Sequence, residues 1–255
     1  MNSMLNPEVL QGSGFCTKHN TKEIIMGGFQ GCPQCAIEYV EKANQEHAFE
    51  VQKSVREKHF AGAMIPERHK NAGFRNYNTP LPGQKNALTQ TANFAKKIVK
   101  GEVENLVMVG STGTGKTHLA CATARTLLAK GNYARYITSE ELAQRIMKAW
   151  DKDTKDQSEQ SVIYEFTTYD LLILDEYGLH DREKRLELVH KVLYSRYDAC
   201  KATMLISNMT LEDYQDSNGK VVKGLKSDLG DRLWSRFQHG GLTTIECNWK
   251  DARAV

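Results

Sequence analysis

"NLVMVGSTGTGKTHLACATARTLL", residues Asn105 to Leu128, decides the fold. Leu106–Val109 is an apolar run of strand length, and Gly110-Ser111-Thr112-Gly113-Thr114-Gly115-Lys116-Thr117 follows it directly. A stretch rich in Ala and Leu then continues as a predicted helix to about Ala129. Strand, glycine loop and helix in that order form a phosphate-binding loop in the context the motif requires. The glycines let backbone N–H groups turn inward around an anion, and the helix N-terminus adds a favourable field. Thr112, Gly113, Thr114, Gly115, Lys116, Thr117 and His118 are the nucleotide-contact candidates. Lys116 would reach the β- and γ-phosphates, and the Thr117 hydroxyl would ligate Mg²⁺. A glycine-rich turn with no ligand is the plain alternative, and the complete motif in context weighs against it.

"YDLLILDEYG" (Tyr169–Gly178) supplies the partner signal. Leu171–Leu174 is an uninterrupted apolar run, as expected of a central parallel strand buried on both faces. Asp175 stands at its C-terminal end, where an open α/β sheet places its ligands. Asp175 would hold Mg²⁺ through water, and Glu176 is the candidate base for an attacking water. Further strands are expected at Tyr133–Ser139, at "TMLISN" ending on Asn208, and at Leu242–Trp249. Asn208 could hydrogen-bond a γ-phosphate or the attacking water, or simply cap the next segment. The sum is an α/β fold, a doubly wound layer of at least five strands alternating with helices.

The chain has 255 residues and a net charge of 34 − 31 = +3, which permits nucleic-acid contact without arguing for it. No apolar run has membrane-spanning length, and the N-terminus lacks a secretion-signal pattern, so the expected compartment is the cytoplasm. Cys121, Cys200 and Cys247 read as small buried hydrophobes. The other three cysteines cluster in "FCTKHNTKEIIMGGFQGCPQCAIEYVEKA", as Cys16-x-x-His19 and Cys32-x-x-Cys35 separated by twelve residues. Two-residue spacings aim paired side chains at one ion, and four thiolate and imidazole ligands suit structural Zn²⁺. A redox Cys-x-x-Cys with an unrelated His19 is the alternative. His19 is flanked by Lys18 and Asn20, which suggests an exposed turn, and His47, His59 and His69 read as surface residues. Residues 1–60 are therefore expected to form a zinc-binding module with a polar helical arm. Residues 61–85, with Gly73, Pro80, Pro82 and Gly83, read as a linker, and 86–255 as the nucleotide-binding domain.

"GSTGTGKTHLA", "LLILDEYG", "ISN" and "GDRLWSRF…NWKDARAV", with "GFRNYNTPLPGQKNAL" ahead of the first strand, together resemble the AAA+ helicase loaders of the DnaC and DnaI type. The resemblance runs from about Phe74 onward, and the cysteine-bearing front looks like the zinc module of DnaI-type loaders. It implies an AAA+ P-loop fold without a C-terminal helical lid, and ATP held between neighbouring subunits. It also implies ATP hydrolysis, and self-assembly into a spiral or hexamer. Partners would be a DnaB-type replicative helicase hexamer, met by the front module, and single-stranded DNA. Arg236 would be the finger reaching a neighbour's γ-phosphate, with Arg232 as a second contact. A pair of surface arginines is the alternative. Trp150, in "MKAWDKDTKDQSEQ", would face DNA, with Lys148, Lys184 and Arg185 near phosphates; otherwise Trp150 packs in the core. An IstB-like transposition helper binding duplex DNA is the nearest rival, and a zinc-module adaptor with ATP as a structural ligand is a more distant one.

Overall fold

The structure, a computed structural model, describes residues 9–150, 158–178 and 183–250. Most of the expected insertion after Trp150, the start of the "DREKR" run and the final "DARAV" lie outside them. The chain divides into two units, one running to Val55 and the other beginning at Arg56.

The first unit opens with three antiparallel strands, β1 (Leu10–Cys16), β2 (Thr21–Met26) and β3 (Phe29–Gly31), in the order β1-β2-β3. Asn20, at φ 52°, and Gly27 and Gly28, at 58° and 86°, supply the left-handed residues of the two reversals. Helix α1 (Pro33–Gly62) starts on Pro33, which is favoured at a first helical position. It buries none of its residues.

The second unit takes the end of α1 and continues through α2 (Pro82–Val99), β4 (Asn105–Gly110), α3 (Lys116–Ala129), β5 (Ala134–Thr138) and α4 (Ser139–Lys148). It goes on with α5 (Glu159–Thr168), β6 (Leu171–Tyr177), α6 (Glu183–Asp198) and β7 (Ala202–Ser207). A hairpin, β8 (Tyr214–Gln215) and β9 (Val221–Val222), precedes α7 (Leu225–Gln238) and β10 (Leu242–Cys247). Five strands pair in parallel in the order β10-β4-β7-β6-β5. Strand β7 thus separates the glycine-loop strand from the acid-pair strand.

Both faces of this sheet are covered, which explains the unbroken apolar runs. Leu106 and Met108 of β4, and Leu171 and Ile173 of β6, pack with Phe94 of α2 and Leu119 and Leu127 of α3. Their neighbours Val107, Val109, Leu172 and Leu174 face the opposite way, against Leu142, Phe166, Val192 and Leu233 of α4 to α7. The alternation is the two-residue period of a strand buried on both sides. Residues 61–85, expected as a linker, contribute Ala63 and Ala72 to this core, with Ile65, Phe74 and Tyr77 packed against it. Ala63 O accepts from Tyr136 N at 2.9 Å, which ties the start of this segment to β5. Gly110 ends β4 at φ 118°, and a Cβ there would lie 2.5 Å from Cys247 O, so only glycine lets β10 close on the loop. Cys121 and Cys247 are buried as expected, whereas Cys200 is exposed, at φ 52° just after α6. That correction follows from its place in a turn rather than an element.

Arg196 of α6 is fully buried. It donates to Thr203 Oγ1 and Tyr169 O at 3.1 Å each, and to the carbonyls of Phe166 and Ala202. One side chain therefore ties α5, α6 and β7. Arg196→Met would leave those carbonyls unsatisfied in the interior. We expect a loss of about 3 kcal/mol in unfolding free energy, read from the urea midpoint.

Candidate functional site

The C-terminal ends of β4, β6 and β7 open on a cleft of about 390 Å³. Thr112, Gly113, Thr114, Gly115, Lys116, Thr117, His118, Asp175, Glu176 and Asn208 all line it, so residues from 112 to 208 are brought together. The volume lies within the range of small-ligand sites.

Lys116 begins α3 and is buried, with Nζ donating to Gly110 O at 2.6 Å and Ser111 O at 2.7 Å. The loop's shape is held from within by Thr114 Oγ1, which donates to Ser111 O at 2.9 Å. Thr117 Oγ1 donates to Asp175 Oδ2 at 2.8 Å, joining the loop to the acid pair. The same oxygen accepts from Tyr136 Oη at 2.8 Å. Tyr136, on β5, lines the cleft and was read only as part of a strand. Burial, followed by the Asp175 charge, pushes its hydroxyl's pKa well above the ordinary phenol range. It therefore stays a donor and holds the Asp175 carboxylate in place.

Glu176 takes φ 57°, a conformation a non-glycine residue adopts only when held. Here the β6–β7 register slips between Leu174 and Tyr177, and such an irregularity re-aims a side chain. The turn is fixed by Glu176 N donating to Asp175 Oδ1 at 2.7 Å and by Ser139 Oγ donating to Glu176 O at 3.0 Å. Burial first, and then the neighbouring Asp175 charge, raise the Glu176 carboxyl above its ordinary value. A raised carboxyl facing a cleft is suited to accept a proton.

Pro66, Arg68 and His69 complete the lining from the segment before α2. His69, expected on the surface, is half-buried beside His118, with ring centroids 6.4 Å apart, and burial holds its pKa low. His118 Nε2 lies 3.1 Å from Gly73 O. No sequence signal separates His69 from His47 or His59; its role depends on how the segment folds back.

Arg232 and Arg236 do not line the cleft. They follow Gly230, whose φ of 75° kinks α7. Arg232 is exposed, while the Arg236 guanidinium lies over the rings of Tyr194 and Tyr197 at 4.6 and 5.0 Å. Trp150 follows α4, exposed rather than in the core, donating Nε1 to Glu159 Oε2 at 2.8 Å. Lys184 Nζ stands 4.6 Å from its ring centroid, and Arg185 pairs with Glu140.

In the first unit, Cys16 ends β1, His19 sits in the β1–β2 turn, and Cys32 and Cys35 bracket the start of α1. Their ligand atoms lie within 4.8 Å of one another. The Cys16–Cys35 Sγ separation is 3.7 Å, too long for a disulfide. His19 Nδ1 lies 3.7, 3.5 and 3.3 Å from the sulfurs of Cys16, Cys32 and Cys35. A tetrahedron around an ion with Zn–S bonds of about 2.3 Å has edges of about 3.8 Å, so this donor set fits zinc. His19 is turned inward, and its Nε2 lies 2.9 Å from Glu38 Oε1, the carboxylate partner that orients ligating histidines. Among the described residues no helix is long and apolar enough to cross a membrane.

A family model described as IstB-like ATP binding protein matches residues 39–239. The chain is 27% identical over 199 residues to the replicative helicase loader DnaC of Escherichia coli K12, covering 76% of this chain and 74% of that one. It is also 27% identical over 190 residues to the E. coli K12 protein YdaV, covering 74% and 71%. A crystal structure of the DnaC helicase loader superposes with a TM-score of 0.57 at 26% identity, over 70% of this chain and 99% of that one. A crystal structure of DnaI, at 19% identity and a TM-score of 0.54, shares the fold. With the matched span reaching from α1 past both arginines, the chain belongs to the family of IstB-like ATP binding proteins and has the DnaC loader among its relatives.

Proposed function

We propose that this chain loads a DnaB-type replicative helicase onto single-stranded DNA, using ATP bound in the β4–β6 cleft. The observation that carries the reading is the Thr117–Asp175 contact, which joins a complete phosphate loop to an acid pair on a second strand. The DnaC relatives support the loader assignment.

In this reading Lys116 and the loop N–H groups hold the triphosphate. Thr117 and Asp175 would hold Mg²⁺, which neutralises charge on the phosphates. Glu176 takes the proton of the attacking water, and Asn208, at the end of the intervening strand, orients that water or the γ-phosphate. The positive charge needed opposite the γ-phosphate comes from Arg236 of an adjoining copy, with Arg232 beside it. Cys16, His19, Cys32 and Cys35 hold Zn²⁺, and the module they staple meets the helicase. Turnover stimulated by DNA would release the loader, with Trp150 and Lys184 as candidate DNA contacts.

The family match favours one rival, a helper ATPase that coats duplex DNA for a transposase. Capture of a DnaB-type hexamer by the immobilised chain, with preference for single strands, supports the loader. Preference for duplex DNA and no helicase capture supports the rival.

Three outcomes are expected. Glu176→Gln should bind ATP normally but hydrolyse it at least about 100-fold more slowly, measured as phosphate release. Arg236→Ala should likewise bind and not hydrolyse, and mixing it with Lys116→Ala protein should recover part of the activity; absence of recovery speaks against a shared site. Cys32→Ser should lose one equivalent of zinc by elemental analysis and lose helicase capture, while keeping ATP affinity.

A further inference from the structure

One carbonyl of the glycine loop is held by two donors from remote parts of the chain. Tyr77 Oη donates to Thr114 O at 3.1 Å, and Trp249 Nε1 donates to the same oxygen at 3.0 Å. Tyr77 lies 37 positions before Thr114, and Trp249 lies 135 after it. Both rings are partly buried against the core around α2 and α3. Neither lines the cleft, although Thr114 and Gly115 do.

The peptide between Thr114 and Gly115 is trans, so its carbonyl and its N–H point in opposite directions. A carbonyl fastened to donors outside the cleft therefore turns the Gly115 N–H toward the cleft. The oxygen has two lone pairs, one for each donor. The restraint matters because Gly115, at φ 88°, has the freedom to rotate this peptide. Tyr77 also limits the residue choice, since a Cβ on Gly115 would lie 2.7 Å from its ring. The Trp249 ring in turn lies 3.2 Å from where a Cβ on Gly83 would stand, which anchors the indole on α2.

We infer that Tyr77 and Trp249 are positioning residues that orient the Thr114–Gly115 peptide so that the Gly115 N–H meets a bound phosphate. The inference rests on the reading of the cleft as a nucleotide site, and it concerns phosphate binding rather than the chemical step. Each donor supplies one hydrogen bond to the carbonyl, and the loop's geometry depends on both.

The test is a titration of the full chain with fluorescent mant-ADP, paired with the thermal midpoint measured without nucleotide. Tyr77→Phe removes one hydroxyl and keeps the ring, and Trp249→Phe removes the second donor. Each should weaken mant-ADP about fivefold, the worth of one hydrogen bond, with the Tyr77→Phe midpoint unchanged to within about 2 °C. The double variant should lose at least about 25-fold. Nucleotide binding is expected to change tryptophan emission, and that change should vanish in Trp249→Phe and persist in Trp150→Phe and Trp234→Phe. Lys116→Ala separates the two levels of the argument. If it abolishes binding while Tyr77→Phe and Trp249→Phe bind as the native chain does, the clamp is wrong and the nucleotide site stands. If Lys116→Ala binds mant-ADP unchanged, the nucleotide reading itself fails and takes the clamp with it. A midpoint in Tyr77→Phe that falls in step with affinity overturns the inference too, because it assigns the hydroxyl to folding alone.

Discussion

The Thr117 hydroxyl resting on the Asp175 carboxylate is the contact on which the site depends. It spans two strands that are not adjacent, since β7 lies between β4 and β6. Such a contact is possible only because all five strands run parallel and end at one edge, where loops and helix N-termini gather. The sheet's burial on both faces fixes that edge, and the Tyr136 hydroxyl and the held Glu176 turn fix the carboxylates relative to it. Rigidity comes from the core, and the chemistry sits where the core stops.

Around that edge, the site is supported from segments outside the loop and acid-pair motifs. Arg68 and His69 come from the segment that folds back before α2, and Trp249 from the turn after β10. The cationic groups proposed to complete the reaction lie on the far part of α7. There Arg236 lies over the rings of two tyrosines of α6 instead of lining its own cleft. A guanidinium held this way is ordered and oriented before any partner arrives, which is the condition for acting on a neighbour's phosphate without a large entropic cost.

The central sheet was legible because strands buried on both faces must be continuously apolar, and because Gly110–Thr117 admits few other structures. The acid pair was legible from its place at the end of such a run. The three-stranded sheet of the first unit was not, since LQGSGFC, TKEIIM and FQG carry no apolar alternation in sequence and none of their residues is buried. The grouping of Cys16, His19, Cys32 and Cys35 was suggested by their spacing, and the inward turn of His19 became visible only with Glu38 beside it. Tyr77 and Trp249 lie in stretches that carry the resemblance and Tyr136 in an expected strand, but none shows a role there, because each donates through a hydroxyl or indole N–H whose partner lies far away in sequence. Arg196 carries no signal of its own among its charged neighbours in sequence, and only packing shows that four acceptors surround it.

The proposal that catalysis belongs to an assembly of copies, each completing the next one's site, is tested most directly by dilution. ATP turnover per protomer should be measured from high to low protein concentration, with mass photometry reporting the assembly present at each step. Turnover is expected to fall steeply as the assemblies dissociate and to be nearly absent in the isolated protomer. Constant turnover per protomer down to the monomer would contradict it.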